Sequence, residues 1–119
     1  MKKHEKIDYL ELPAINIQAT KAFFSKVFGW EFVDYGNEYC AFLNAGIDGG
    51  FYQSDLSANT ENGSVLVVFY SDNLQATLSK IRNAGGIIVK PIFDFPGGQR
   101  FHFIEPGGNE FAVWSDVTD

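Results

Sequence analysis

The sequence predicts an α+β fold made of two copies of one strand–helix–three-strand unit, and three observations carry that prediction. Phe101 to Ile104 and Glu110 to Trp114 alternate in character with period two around Pro106-Gly107-Gly108-Asn109, the pattern of two strands joined by a tight turn. NIQAT from Asn16 is echoed by NLQAT from Asn73, and Gly29 falls on Gly86 at the same offset. FLNAG from Phe42 is echoed by FIEPG from Phe103 at a slightly larger one. A unit of about half of 119 residues cannot bury a sheet alone, so the copies must pack together.

In order, Ile7 to Leu12 is expected as the first strand, with Tyr9 and Glu11 on one face and Leu10 and Leu12 on the other. Pro13 and Asn16 break it, and Asn16 caps a helix running to Phe28, whose apolar stripe includes Ile17, Phe24 and Phe28. Gly29 is the left-handed stop. Strands follow over Trp30 to Tyr35, Tyr39 to Leu43 and Gly50 to Gln53. Residues 55–63 lack an apolar period and read as a linker between module one (about 6–54) and module two (about 64–116). The second copy opens with a strand from Val65 to Tyr70. A helix from Asn73 to Ala84 ends at Gly85-Gly86, and strands at Ile87 to Lys90, Arg100 to Ile104 and Phe111 to Trp114 complete it.

Length and composition bound the function. One domain of 119 residues buries about two-thirds of its unfolded surface, so neither disulfide nor structural metal is needed. A net charge of −6 argues against nucleic acid and anionic membranes. The single Cys40 excludes an internal disulfide and a CxxC site, and reads as a buried, inert thiol. No apolar run suffices to span a bilayer, and MKKHEKIDY lacks a signal-peptide core, so a cytoplasmic location is expected.

The opening LELPAINIQATKAFFSKVFGWEF, the central SDNLQATLSKIRNAGG and the closing FHFIEPGGNEFAVW together resemble the vicinal oxygen chelate superfamily of glyoxalase I, bleomycin-resistance proteins, fosfomycin-resistance transferases and extradiol dioxygenases. The resemblance covers nearly the whole chain. It implies two βαβββ modules whose sheets curl around a central cavity with helices outside, and a homodimer. The metal enzymes of this group hold a metal on the first and last strands of each copy. Those positions fall here on Tyr9, Leu66, Ala112 and close to Phe51, which make a poor ligand set, so no metal or other cofactor is expected.

Strand alternation places Arg100 and His102 on the cavity side, with Glu110, Ala112 and Trp114 beside them. Tyr9 and Glu11 join from the first strand, and Leu66, Val68 and Tyr70 from the second copy. The result is an aromatic-walled pocket with a few polar groups, the usual make-up of a small-molecule site. His102, matching a ligand-facing position in the fosfomycin-resistance branch, and Arg100 are the candidate catalytic residues, His102 as hydrogen-bonding or acid–base group. Glu105 is expected solvated at a strand end. Two readings follow. One is a metal-free protein that sequesters a small organic or cationic molecule, as the resemblance to bleomycin-resistance proteins implies and the acid surplus favours. The other is a glyoxalase-type lyase or dioxygenase-related enzyme, using an unconventional metal set or His102, Arg100, Glu11 and Tyr9 without metal.

Overall fold

The computed structural model describes residues 2–117. Eight strands and two α-helices form two open four-stranded sheets. The first sheet holds β1 (Tyr9–Ala14), β4 (Asp48–Gln53), β3 (Tyr39–Leu43) and β2 (Glu31–Asp34) in that spatial order. The second repeats the order with β5 (Val67–Tyr70), β8 (Glu110–Ser115), β7 (Gly98–Ile104) and β6 (Ile87–Phe95). In each, the first strand runs parallel to the last and the others are antiparallel. The βαβββ repeat is therefore present twice, as α+β architecture, and neither sheet closes into a barrel.

Local chemistry sets the helices. Asn16 Oδ1 accepts from the Ala19 amide at 3.0 Å to open α1 (Ile17–Phe28), and Gly29 at φ 72° ends it. Asn73 repeats the cap for α2 (Leu74–Asn83). The aromatic content expresses itself at the seam between modules. Phe24 stacks on Trp30 at 4.3 Å and reaches Phe51 of the first sheet and Phe111 of the second. Phe28 stacks on Phe69 at 4.3 Å. One continuous core thus spans both modules, which fits the inability of either half to bury its sheet alone.

Most strand ends shift by one to five residues from the sequence reading, and three differences have a physical reason that bears on the site. β1 runs through Pro13 to Ala14. An edge strand tolerates a missing N–H, and the Pro13 carbonyl accepts from Asn109 Nδ2. β6 extends to Phe95, and two register irregularities let it pass Pro91. The stretch read as a linker contains a short 3₁₀ turn, Thr60–Asn62, and is tied to β8. Ala58 N–H donates to Asn109 Oδ1, and Glu110 N–H donates to the Ala58 carbonyl. No helix among the described residues is long and apolar enough to cross a membrane.

Candidate functional site

Alternation along β7 and β8 sorts the second sheet into two faces. Phe101, Phe103, Phe111 and Val113 are fully buried against the helices. Arg100, His102, Glu110, Ala112 and Trp114 share the opposite face, joined by Val68 and Tyr70 through the register Val68↔Ala112 and Tyr70↔Trp114. The charged members form a chain. Arg100 Nη2 lies 3.0 Å from His102 Nε2, and His102 Nδ1 lies 2.7 Å from Glu110 Oε2. Guanidinium only donates, so Nε2 accepts and Nδ1 carries the proton given to Glu110. Thr60 anchors the far end, its N–H and hydroxyl both donating to Glu110 Oε1 at 2.9 Å. Burial pushes the Glu110 carboxyl up, but the Thr60 N–H and the bonds from His102 and the Thr60 hydroxyl outweigh it and hold it below the ordinary range. Arg100 itself sits 5.9 Å from the Phe93 ring centre and 5.8 Å from that of Phe95, and its Nε is buried with no partner.

His102 sits in the middle of this chain of bonds. At 4% exposure, with both ring nitrogens engaged, it is not a free acid–base group. Its Nε2 accepts from the Arg100 guanidinium. Glu110 and fully buried Ala112 lie under the face rather than open on it, whereas Trp114 is half-buried and Tyr70 and Val68 are exposed. Trp114 packs edge-on to Tyr70 at 5.2 Å and to Phe95 at 6.2 Å. Val68 and Tyr70 also border a cleft of about 320 Å³ that runs between the modules to Trp30, Phe42 and Phe111. Leu66 is half-buried and precedes β5, one residue outside it.

The first sheet has its own polar group. Tyr9 and Glu11 do share a face, and Tyr39 from β3 joins them. Tyr39 Oη lies 2.6 Å from Tyr9 Oη and donates to Glu11 Oε2 at 3.0 Å. Burial first, then the bonds to Tyr9 and Glu11, push the Tyr39 hydroxyl far above its ordinary titration. Gly50 makes room: a Cβ there would overlap Tyr39 Oη and Cζ. Gly49 does the same for Phe42 on the core face. The Gly-Gly pair thus admits a ring on each side of one strand.

Glu105 is where the structure departs furthest from the expectation of a solvated strand end. It is 1% exposed and accepts from Thr20 Oγ1 at 2.9 Å, Gly107 N at 2.6 Å and Asn109 N at 3.1 Å. A Cβ on Gly107 would overlap Thr20 Oγ1, so this turn seats directly on α1. The EPGGN turn is a clasp between modules. Tyr39, Thr60, Phe93 and Phe95 were not among the candidates read from the sequence. Tyr39 left a signal there in its β3 position; Thr60 reaches Glu110 from 50 residues away, and Phe93 and Phe95 join through a β6 that runs past Pro91, where the sequence reading ends the strand at Lys90.

The family's metal positions are placed as follows. Tyr9 is 41% exposed and committed to Tyr39, Leu66 is half-buried, and Ala112 has no donor atom. Phe51 is fully buried on the core face against Phe24. Among the described residues no three His, Cys, Asp or Glu side chains come together to hold a metal ion. The residues present do not fit the family's metal.

Comparison with known structures supports the fold. The chain is similar to a glyoxalase/bleomycin resistance protein/dioxygenase family enzyme from Burkholderia phytofirmans PsJN, with 16% identity over 92% of this chain and 98% of that one and a TM-score of 0.77. The fosfomycin resistance protein FosX from Listeria monocytogenes, complexed with Mn(II) and 1S,2S-dihydroxypropylphosphonic acid, matches at 17% identity over 94% and 90% with a TM-score of 0.77. A lactoylglutathione lyase from Agrobacterium tumefaciens matches at 21% identity over 96% of both chains with a TM-score of 0.69. Comparison with curated protein sequences finds no match. The family model for the glyoxalase/bleomycin resistance protein/dioxygenase superfamily matches residues 6–113, nearly the whole βαβββ pair, and the chain belongs to that superfamily.

Proposed function

We propose that this protein binds a small organic molecule without a metal, with Arg100 anchoring an anionic oxygen group of the ligand and Trp114, Tyr70 and Phe95 packing its apolar part. The observation that carries this is the state of Arg100. His102 holds one guanidinium nitrogen, two rings flank the group, and Nε is buried without an acceptor. An orphaned buried donor costs about 1–3 kcal/mol, which a carboxylate or phosphonate oxygen would recover. FosX holds a phosphonic acid together with Mn(II). Here Leu66 and Ala112 offer no side-chain ligand atom, and Arg100 is the positive group on the face that would meet an anion.

The enzymatic alternative draws less support, because His102 accepts from Arg100 and cannot take a proton until that bond breaks. We also propose a homodimer in which a second copy covers part of these faces. Val33 on β2, at the sheet edge opposite β1, and Val68 and Phe93 on the second sheet are exposed apolar side chains that it would cover. Light scattering of the eluting protein at the mass of one chain would overturn the dimer.

The ligand is tested by titrating small aromatic carboxylates and phosphonates against the parent and Arg100→Ala. Loss of at least ten-fold in affinity is expected for Arg100→Ala, and unchanged affinity would overturn the reading. Metal-stimulated turnover of methylglyoxal with a thiol would overturn the metal-free assignment.

A further inference from the structure

We propose a second site, separate from Arg100: the cleft beside β1 binds an organic monocation, an amine or alkylammonium carried on a short apolar body, through Glu11. The cleft has a volume of about 360 Å³, and Leu10, Glu11, Pro13, Tyr52, Ala58 and Val65 are among its walls. Those walls are chiefly apolar around one carboxylate. Val65 and Tyr52 are exposed, at 82% and 37%, so the cleft is open from outside.

Glu11 is available for this role. The ion pairs among the described residues join Lys2 to Asp8, His4 to Glu5, Lys21 to Asp34 and His102 to Glu110, and none involves Glu11. Its protein partner is the Tyr39 hydroxyl, which donates to Oε2 and leaves Oε1 for a ligand. A neutral hydroxyl donor fixes the orientation of the carboxylate without cancelling its charge. Tyr39 remains protonated well beyond neutral pH, because burial and its two partners raise its titration. The geometry is built, since Gly50 is the residue that lets Tyr39 lie across the strand to reach Glu11.

Charge then decides the ligand class. An anion entering this cleft meets a carboxylate that forms no ion pair among the described residues. An ammonium group meets that carboxylate and the Tyr52 ring in the wall of the same cleft, both of which attract positive charge. The net charge of −6 raises the local concentration of cations around the whole molecule. The apolar walls at Leu10, Pro13, Ala58 and Val65 take the carbon body of the ligand.

The test is calorimetric titration of phenethylamine and its neutral analogue 2-phenylethanol into the parent, Glu11→Gln, Val65→Lys and Arg100→Ala. The amine is expected to bind once per chain and at least ten-fold more tightly than the alcohol. Glu11→Gln should weaken the amine at least ten-fold. Val65→Lys, an exposed position that tolerates substitution, should abolish binding by placing a tethered ammonium beside Glu11. Arg100→Ala should change amine affinity less than two-fold, so failure of the anion site and failure of this one are read separately. Equal affinity for amine and alcohol, or parental affinity in Glu11→Gln, would overturn the site. So would a shift in oligomeric state shared by Glu11→Gln and Arg100→Ala, which would make Glu11 a partner of a second copy.

Discussion

The two modules share one topology and use the same positions for different purposes. In the first, the turn after β3 carries Asn44 where the second carries Glu105. Asn44 is exposed at φ 67° and donates to Glu31 Oε1 on a neighbouring strand. Glu105 is buried and collects three donors, one of them from α1 of the other module. Their sheet faces diverge too. Module one presents a tyrosine–tyrosine–glutamate group and module two an arginine–histidine–glutamate chain. A repeat preserves backbone geometry, whereas burial decides what a given position costs and does.

The widest gap between the copies is expected at those two turns. Glu105→Ala strands three buried donors and should cost about 2–4 kcal/mol in urea unfolding. Asn44→Ala loses one exposed bond and should cost under about 1 kcal/mol. Equal losses would show that the clasp is not what joins the modules.

A smaller contrast lies within β4. Gly49→Ala drives a methyl into Phe42 and the Leu10 carbonyl inside the core, and should cost about 2–3 kcal/mol. Gly50→Ala meets the Tyr39 ring, which can swing away, and the Cys40 carbonyl, which must shift by less than the core does at Gly49, and should cost about 1–2 kcal/mol. The same substitution should also weaken amine binding, because Tyr39 then leaves Glu11.

Acidity sharpens the comparison between the two carboxylates of one hairpin. Burial raises the titration of Glu105 despite its three donors, so the folded chain holds that proton more tightly than the unfolded one. Its contribution to stability is complete below the ordinary 4.5 and is lost as pH rises through the elevated folded value. Glu110 is the reverse. Its folded titration lies below 4.5, so it contributes stability above that value, lost as pH falls through the depressed one. In unfolding measured across pH, Glu105→Gln should remove a decline above about pH 4.5, and Glu110→Gln should flatten the acid limb below it. Slope changes of the same sign would contradict the opposite environments.

The smallest effect is spectroscopic. Nitrogen NMR of His102 should show one neutral tautomer with the proton on Nδ1. A proton on Nε2 would mean that Arg100 does not donate there, and would remove the basis for its fixed position.

The sequence by itself determined the repeat, the helix caps at Asn16 and Asn73, and the facing of Phe101 and Phe103 away from Arg100 and His102. Those features depend on neighbours within a few residues, through period-two alternation, capping side chains and left-handed glycine. Which polar groups meet was settled only by tertiary structure. Glu105 sits in a stretch that reads as an exposed turn, yet Thr20 receives it from 85 residues away. Thr60 lies in an apparent linker and anchors Glu110 across 50 residues. Phe93 comes beside Arg100 because β6 continues past Pro91, and Tyr39 reaches Glu11 because Gly50 leaves the surface of β4 bare. Charge and burial at these positions follow from pairing across the sheets and the seam, and from a strand that continues past a proline, none of which local periodicity encodes.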